Sequence, residues 1–281
     1  MALRFSVAAL ALGLFYVRRV SSIRPLALWD GVRTGAFLAA GYLTQLIGLQ
    51  STSASRSAFL TGTTLVLVPV ASFGILGVAP ALGEALGVAI AFLGLLFFYT
   101  DAGLALQSGD LWTLGCAAAF AIQMVYTNIA GRRSDTAAVA VVQTVVAALA
   151  GWTLVMARGG FRTRLEVVPW VTILYLAIAA TAFILALQTW ALGKTRPVRA
   201  GVIYSMEPVF AALFALTFFG ERMSSREIMG SAAILCGVLV AELRAAGRGQ
   251  SSGRAPRAPG PAPEAADSLR PRAGSAGAPP P

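Results

Sequence analysis

Residues 136–157 have the sequence TAAVAVVQTVVAALAGWTLVMA, which is 22 consecutive residues without a charged side chain. A helix needs about 20 predominantly apolar residues to cross the hydrocarbon core of a bilayer. Four more charge-free stretches of at least 21 residues are Thr34–Ser55, Ser57–Gly83, Leu111–Gly131 and Val167–Gly193. Runs of this length do not arise in a soluble core, and the sequence therefore predicts an all-α polytopic membrane protein.

The composition agrees with this prediction: 57% of the residues are hydrophobic and 12% are charged, whereas soluble domains carry about 25% charged residues. The net charge of +10 raises the alternative of nucleic-acid binding. However, the arginines lie between the apolar runs and in the C-terminal tail, which is typical of charges that set membrane topology. The sequence has no basic face interleaved with aromatic residues, so we expect no nucleic-acid partner.

The residue types that most often carry catalysis or bind metal are scarce. The chain has no histidine, which removes the commonest general base and metal ligand. Its two cysteines, Cys116 and Cys236, each lie inside an apolar segment, where a thiol packs as a small hydrophobic group. We therefore expect no enzymatic activity, no metal site and no cofactor.

The apolar runs and the charges between them predict nine membrane spans. They cover residues 2–20, 32–50, 53–77, 82–100, 110–131, 136–157, 169–191, 198–220 and 225–243. The first run also resembles a cleaved signal peptide, but no small-residue cleavage site precedes Arg18. The last run reaches spanning length if Arg226 and Arg244 extend to the two interfaces.

The distribution of Lys and Arg predicts the orientation. With the amino terminus outside, 15 of the 22 basic residues lie on the cytoplasmic side and 7 lie outside, as the positive-inside rule requires. We therefore expect a multi-pass protein of the bacterial inner (plasma) membrane. Its tail, residues 245–281, holds eight of the fourteen prolines and is expected to be disordered and cytoplasmic. Contact of the tail arginines with lipid headgroups is an alternative role.

Residues in the first half of the chain match residues in the second half at a constant difference in residue number, which we call the repeat offset. It is defined by the matching pairs Gln45/Gln188, Leu49/Leu192, Arg56/Arg199, Gly87/Gly230 and Gly94/Gly237. An odd number of spans separates the members of a pair, so the second unit is predicted to be inverted relative to the first, as in secondary transporters. Chance similarity between Ala-, Gly- and Leu-rich helices is the alternative. The predicted domains are a four-helix repeat at 1–100, an external linker at 101–109, a five-helix repeat at 110–244 and the tail.

Several segments are similar to those of a known family. They are GDLWTLGCAAAFA at 109–121, LQTW at 187–190, YSMEPVFA at 204–211, GER at 220–222 and GSAAILCG at 230–237. Over roughly residues 2–243 the chain resembles the EamA-type branch of the drug/metabolite transporter superfamily. The resemblance implies a transporter of ten helices in two inverted five-helix units. Leu3-Arg4-Phe5 resembles the start of the family's second helix, so we expect the first helix of the pattern to be missing.

Glu207 is the strongest candidate for a functional side chain. It lies about ten residues into the eighth predicted span, where a carboxylate costs roughly 2.5 kcal/mol or more and usually faces a cavity or a partner. We expect it to exchange protons or to pair with a cationic group of the substrate. Tyr204, one helical turn earlier, shares its face and is a candidate hydrogen-bond donor. In the structural alternative, a protonated Glu207 donates to the Tyr204 carbonyl that Pro208 leaves free.

Six further polar side chains are candidates for the lining of a central cavity. They form three pairs on shared helical faces: Gln45 with Tyr42, Gln188 with Thr181, and Gln123 with Tyr126. The alternative role for each is hydrogen bonding between helices, worth about 0.6–2 kcal/mol per contact.

Prolines and glycines inside the spans predict structural roles. Pro69 and Pro208 lack an amide proton, so both are expected to kink their helices, either to open a binding gap or to set curvature. The small-residue stripes that contain Gly87, Gly94, Gly230 and Gly237 are expected to permit close helix packing.

The leading functional hypothesis is a secondary transporter in the lipid bilayer that exports a small metabolite, an amino acid or an amphipathic drug-like compound. The chain has no Gly-x-x-x-x-Gly-Lys-[Ser/Thr] motif, so ATP hydrolysis is not expected to drive it, and protons are a candidate coupling ion. A non-transporting scaffold or sensor, or an inactive truncated transporter, is the alternative. An intramembrane peptidase is disfavoured because no histidine is present to activate a serine.

Overall fold

The computed structural model describes residues 1–20, 23–99, 108–160, 167–219 and 224–251, and these ranges contain helices and no β-strand. The helices are α1 (Ala2–Phe15), α2 (Val17–Val20), α3 (Pro25–Gly48), α4 (Ala54–Gly62), α5 (Thr64–Leu76), α6 (Leu82–Tyr99), α7 (Ser108–Arg133), α8 (Thr136–Ala157), α9 (Val167–Ala177), a π-helix (Ile178–Phe183), α10 (Ile184–Lys194), α11 (Pro197–Tyr204), α12 (Glu207–Phe219) and α13 (Ser225–Ser251). The chain divides into two compact units, Met1–Ala245 and Ala246–Pro281. The second contributes only the end of α13 to the described residues.

The helices have the length and hydropathy of a membrane protein. Five segments are long and apolar enough to cross a bilayer, namely Arg56–Leu76, Ser108–Arg133, Thr136–Ala157, Trp170–Lys194 and Pro197–Phe218, while Ala2–Phe15 and Leu82–Phe97 are apolar but shorter. Each of the nine predicted spans coincides with helix in the described ranges. The predicted all-α polytopic membrane fold is therefore confirmed. Most of the predicted linker and tail lies outside the described residues.

Side-chain caps fix the starts of two helices. Ser53 Oγ accepts a hydrogen bond from the Arg56 amide (3.3 Å) at the start of α4, and Asp135 Oδ1 accepts one from the Ala137 amide (2.9 Å) at the start of α8. Both residues act as N-caps. Asp135 also pairs with Arg19 at 2.7 Å. Burial alone would raise the pKa of Asp135, but the hydrogen bonds from Arg19 and the α8 backbone hold that pKa below its ordinary value.

The helix boundaries follow the repeat offset of the sequence. Three helices in the first half and three in the second begin at positions separated by this offset: α4 and α11 at Ala54 and Pro197, α5 and α12 at Thr64 and Glu207, and α6 and α13 at Leu82 and Ser225. The ends of α5 and α12, at Leu76 and Phe219, keep the same offset. The internal similarity therefore extends from side chains to backbone. The inverted orientation of the second unit stays a prediction.

The third and eighth predicted spans are each interrupted near their middle. The first break is at Thr63, between α4 and α5, and the second is at Ser205–Met206, between α11 and α12. Pro69 lies inside α5, six residues after the first break, and Pro208 is the second residue of α12. At the second helical position a proline loses no intrahelical hydrogen bond. Pro208 therefore stands at the start of a new helix and does not bend a continuous one.

Helices α6 and α13 touch through glycines. A Cβ atom built on Gly87 would lie 2.6 Å from the carbonyl oxygen of Gly237, and one built on Gly94 would lie 2.7 Å from that of Gly230. Neither distance leaves room for a side chain. The glycines thus allow backbone-to-backbone contact, which is how helices approach each other inside a bilayer, where no hydrophobic effect drives them together.

We expect Gly237→Ala to destabilise the protein by about 1–3 kcal/mol, the usual cost of overpacking. The added methyl would lie 2.7 Å from both the Ala91 amide nitrogen and the Gly87 carbonyl oxygen. Thermal unfolding of the detergent-purified protein measures the loss as a lower melting temperature. Gly74→Ala in α5 is the matched control, because a Cβ there meets nothing within 4 Å and alanine favours helix. Equal melting temperatures for the two variants would contradict the assigned contact.

Ion pairs join the helix ends. On the predicted cytoplasmic side they are Arg19–Asp135, Arg133–Asp30, Arg196–Glu84 and Arg199–Glu242, and on the predicted outer side Arg56–Asp110. Asp110 is fully buried and Arg56 is only 12% exposed. The Thr52 hydroxyl donates to the same carboxylate at 3.0 Å. In contrast, both side chains of Arg199–Glu242 remain about a third exposed, at 29% and 36%.

Because the two ion pairs differ in burial, we expect removal of the arginine to destabilise the protein by different amounts. Arg56→Ala leaves the Asp110 charge buried without its cation, which typically costs about 3–5 kcal/mol. Arg199→Ala opens a solvent-screened pair and should cost less than about 1 kcal/mol. Melting temperatures of the two purified variants, compared with the unmodified protein, check this order. A larger loss for Arg199→Ala would show that burial does not decide the strength of these pairs.

Candidate functional site

A cavity of about 600 Å³ lies between the interrupted helices of the two halves. Its wall is built by α3, by the break between α4 and α5, by α6 and α7, by the π-helix with α10, and by the break between α11 and α12. The lining residues are Leu38, Tyr42, Gln45, Ala58, Thr61, Gly62, Thr64, Leu65, Leu95, Phe120, Gln123, Met124, Ala180, Thr181, Ile184, Leu185, Gln188, Gly201, Tyr204, Ser205, Glu207, Pro208 and Ala211. Most of this wall is apolar, with polar groups at separate points.

The two halves contribute equivalent positions to this wall. Eight lining residues of the first half have a partner at the repeat offset that also lines the cavity: Leu38/Thr181, Tyr42/Leu185, Gln45/Gln188, Ala58/Gly201, Thr61/Tyr204, Gly62/Ser205, Thr64/Glu207 and Leu65/Pro208. The cavity is therefore formed where the repeated segments face each other. It is the place at which a repeat-built membrane protein binds a ligand.

The paired glutamines occupy corresponding polar positions in this cavity. Gln45 Nε2 donates to the Thr61 hydroxyl at 3.5 Å, and in the second half Gln188 is the hydrogen-bonding partner of Tyr204. Thr61 and Tyr204 are themselves separated by the repeat offset. Each half thus holds a glutamine against a hydroxyl on its interrupted helix, and both pairs face the cavity.

Glu207 is the first residue of α12 and lines the cavity as an exposed side chain. It makes no hydrogen bond or ion pair within the described ranges. The positive end of the α12 dipole favours a carboxylate at this position without a fixed cation. The predicted hydrogen bond from Tyr204 is not formed, because the break at Ser205–Met206 interrupts the helical turn that the spacing assumed. Tyr204 instead faces Gln188.

Gln123 belongs both to the cavity wall and to a buried network between helices. Its Nε2 donates to the Thr127 hydroxyl at 3.0 Å and to Gln143 Oε1 at 3.4 Å. Gln143 Nε2 in turn donates to the Thr189 hydroxyl at 2.9 Å. The network ties α7, α8 and α10 together, so the interhelical role weighed from the sequence applies to Gln123 alongside its place in the lining.

Tyr126 is not among the lining residues. Its ring stacks on Phe37 with centroids 5.5 Å apart, in the contact between α3 and α7. Helical spacing placed Tyr126 beside Gln123, but the close approach of α3 covers that part of the face. Tyr42, in contrast, lies in the wall, where it packs edge-to-face with Phe5 and Phe120.

Arg4, which the sequence analysis counted among the seven basic residues outside, contacts two side chains of the cavity wall. Its Nε donates to the Thr181 hydroxyl at 2.5 Å, and its Nη2 lies 3.5 Å from the Tyr42 hydroxyl oxygen. Both partners line the cavity. Arg4 falls inside the first predicted span, and this position was the available signal that the side chain could lie deeper than the interface.

A π-helix presents Thr181 to Arg4. The Thr181 hydroxyl donates to the Leu176 carbonyl, five residues earlier, at 2.7 Å, and accepts from Arg4 with its lone pairs. Such a widened turn shifts side chains out of the regular helical register and is frequent at functional sites. Sequence periodicity assumes a uniform helix and does not reveal this shift.

Three comparisons relate the chain to known proteins. The profile of the EamA-like transporter family matches residues 1–100 and 107–243. A protein of Archaeoglobus fulgidus described as an uncharacterized transporter is 29% identical over 216 residues, which is 76% of this chain and 69% of the relative. A solved crystal structure superposes with a TM-score of 0.70 at 20% identity, covering 86% of this chain and 87% of that chain. At 20% identity the superposition is evidence of a shared fold only.

A cavity that contains water should react with polar thiol reagents, whereas the lipid-facing side of the same helix should not. We expect Ala211→Cys, in the lining, to be labelled by a charged methanethiosulfonate reagent in membranes. Phe214→Cys is the control, since Phe214 lies outside the lining and is 54% exposed. Both variants are made with Cys116 and Cys236 replaced by alanine. Equal labelling of the two positions would argue against a hydrated cavity.

Proposed function

The chain belongs to the EamA-like transporter family and is a multi-pass membrane transporter, and we propose that it is a secondary transporter that exports small metabolites, amino acids or amphipathic drug-like compounds. The observation that carries the proposal is the cavity whose wall uses equivalent residues of both halves. Secondary transporters bind their solutes between structural repeats, beside interrupted helices. The breaks at Thr63 and at Ser205–Met206 are interruptions of this kind.

The proposal includes the arrangement of the chain in the membrane. The two repeats, 1–100 and 110–244, are inverted relative to each other, and the tail from residue 245 is cytoplasmic. The excess of basic residues on one side supports this orientation and a location in the inner membrane. Inverted halves that share one central site support transport by exposing that site to each side in turn.

Glu207 has the central role in this proposal. It is a carboxylate in the cavity without a partner in the described ranges. We assign it the exchange of a proton for a cationic group of the solute, which couples export to the inward proton gradient. The other polar lining groups, Gln45, Gln188, Tyr42 and Thr181, supply hydrogen bonds to the solute, with Tyr204 and Gln123 beside them.

Comparison of a deletion strain with an overexpressing strain tests the function directly. Solutes that this transporter exports should accumulate in the medium of the overexpressing strain and inside the deletion strain, as measured by metabolite profiling of both compartments. No difference in any small solute between the two strains would contradict export.

Glu207→Gln should abolish the dependence of transport on the proton gradient, because the amide has the shape of the carboxylic acid but does not titrate. We expect gradient-driven flux in proteoliposomes to fall by at least about tenfold, as is usual when a group that transfers protons is lost. Glu227→Gln is the control, since Glu227 caps α13 through Ser224 and does not line the cavity. A Glu207→Gln protein with an unchanged rate and pH profile would refute the coupling role.

A further inference from the structure

Gln123 lines the cavity, and side chains outside the cavity fix the orientation of its amide. It belongs to a chain of four side chains on α7, α8 and α10, of which Thr127, Gln143 and Thr189 do not line the cavity. These three are fully buried, and Gln123 is 1% exposed. The nitrogen and oxygen ends of a glutamine amide have nearly the same shape, so the groups around the amide decide which end points into the cavity.

The order of donors and acceptors in this chain starts at Thr189. Its single hydroxyl proton is donated to the Leu185 carbonyl of the preceding turn, at 2.7 Å, a bond that threonine often forms inside a helix. The Thr189 oxygen can then only accept, and it accepts from Gln143 Nε2 at 2.9 Å. This contact turns Gln143 Oε1 toward Gln123, where it accepts from Gln123 Nε2 at 3.4 Å.

The same order leaves the carbonyl oxygen of Gln123 for the cavity. Gln123 Nε2 has two protons, which it donates to Gln143 Oε1 and to the Thr127 hydroxyl oxygen. Within the described ranges, Gln123 Oε1 accepts no hydrogen bond. It is also not among the described buried polar atoms that lack a partner, which are the hydroxyl oxygens of Ser57 and Ser231. Gln123 Oε1 is therefore accessible, and the space that Gln123 borders is the cavity.

The neighbouring side chains oppose a reversed Gln123 amide. Reversal would bring Gln123 Oε1 against Gln143 Oε1, two buried acceptors without a proton between them, which is unfavourable. Reversal of Gln143 as well would bring its oxygen against the Thr189 oxygen, whose proton is already donated to the Leu185 carbonyl. The buried chain therefore keeps a hydrogen-bond acceptor, and not a donor, at this point of the cavity wall.

We propose, building on the proposed function, that Gln143 and Thr189 are positioning residues that hold the Gln123 carbonyl oxygen toward the cavity. The solute then binds at Gln123 through an N–H or O–H group. A carboxylate, carbonyl or sulfonate oxygen at the same point meets an acceptor that cannot turn away. The network thus excludes one class of contact, and rejection of a mismatched group determines specificity as much as attraction of the right group does.

Thiol reagents that differ in their end group measure the polarity of this site without a transported solute. Phe120→Cys places a thiol in the lining, one helical turn before Gln123, in a protein with Cys116 and Cys236 replaced by alanine. The detergent-purified full chain reacts with methanethiosulfonates that carry an aminoethyl group (donors), a sulfonatoethyl group (acceptors) or a trimethylammonioethyl group (neither). Each labelling rate is divided by the rate of that reagent with free 2-mercaptoethanol, and the trimethylammonium reagent is the reference.

Gln143→Met should raise the sulfonate rate relative to the reference by about tenfold, because Gln123 can then reverse and donate to the charged group. The aminoethyl rate should change by less than about twofold, since an amide with two open orientations still presents its oxygen about half of the time. Thr189→Val should also raise the sulfonate rate, because Gln143 loses the acceptor that fixes it. Thr189→Ser keeps the hydroxyl and should leave the sulfonate rate low.

Several outcomes would overturn the inference. One is a sulfonate rate that stays low in both Gln143→Met and Thr189→Val, and another is an equal rise in Thr189→Ser. A common change in the rates of all three reagents would identify the network as packing between α7, α8 and α10, and would also overturn it. If Gln143→Met does not fold, the two Thr189 variants decide. If Phe120→Cys does not fold, Met124→Cys supplies the thiol in the lining.

This experiment and the test of the proposed function can fail separately. The labelling rates do not depend on export, so unchanged rates would overturn the role of Gln143 and Thr189 and leave export standing. Metabolite profiling of the deletion and overexpressing strains does not depend on the orientation of Gln123, and its failure would refute the proposed function.

Discussion

The structure depends on one constraint: inside a bilayer, no water is available for backbone groups that lack a partner. Two of the spans are nonetheless interrupted. At both interruptions a hydroxyl side chain donates a hydrogen bond to a carbonyl group of the preceding turn. The Thr63 hydroxyl donates to the Leu60 carbonyl at 2.5 Å, and the Ser205 hydroxyl donates to the Val202 carbonyl at 2.6 Å. Both breaks border the cavity. Interrupted backbone is tolerated there because it faces protein and the cavity, and not lipid.

The two halves share a scaffold and differ in their chemistry. Where the first half places Thr64 at the start of α5, the second places Glu207 at the start of α12. The Thr64 hydroxyl donates a hydrogen bond to the Thr61 carbonyl at 2.6 Å, whereas Glu207 has no partner in the described ranges. Leu38 and Thr181 are a second such pair. Equivalent backbone positions therefore carry an apolar side chain or a hydroxyl bonded to the backbone in the first half and a more polar side chain in the second.

Much of this could be predicted from the sequence, because length and hydropathy fix the spans and the repeat offset fixes which segments correspond. The positions of Gln45, Gln188 and Glu207 in one cavity follow from that correspondence. Other features depend on how neighbouring helices approach. Tyr126 is covered by Phe37 of α3, and Arg4 contacts Thr181 because α1 packs against the π-helix. Periodicity along one helix identifies its faces. It does not show which neighbouring helix packs on each face, or where the helix departs from regular geometry.

The glycine crossing between α6 and α13 limits which residues either half can carry. Gly87 meets Gly237, and Gly94 meets Gly230; shifting each residue to its counterpart in the other half turns one contact into the other. This is the self-complementary pattern of a symmetric dimer interface, here formed within a single chain. Each of these four glycines is therefore required by the main chain of the other half. A bulkier residue in one copy collides with main chain of the other, which no compensating side-chain change can relieve.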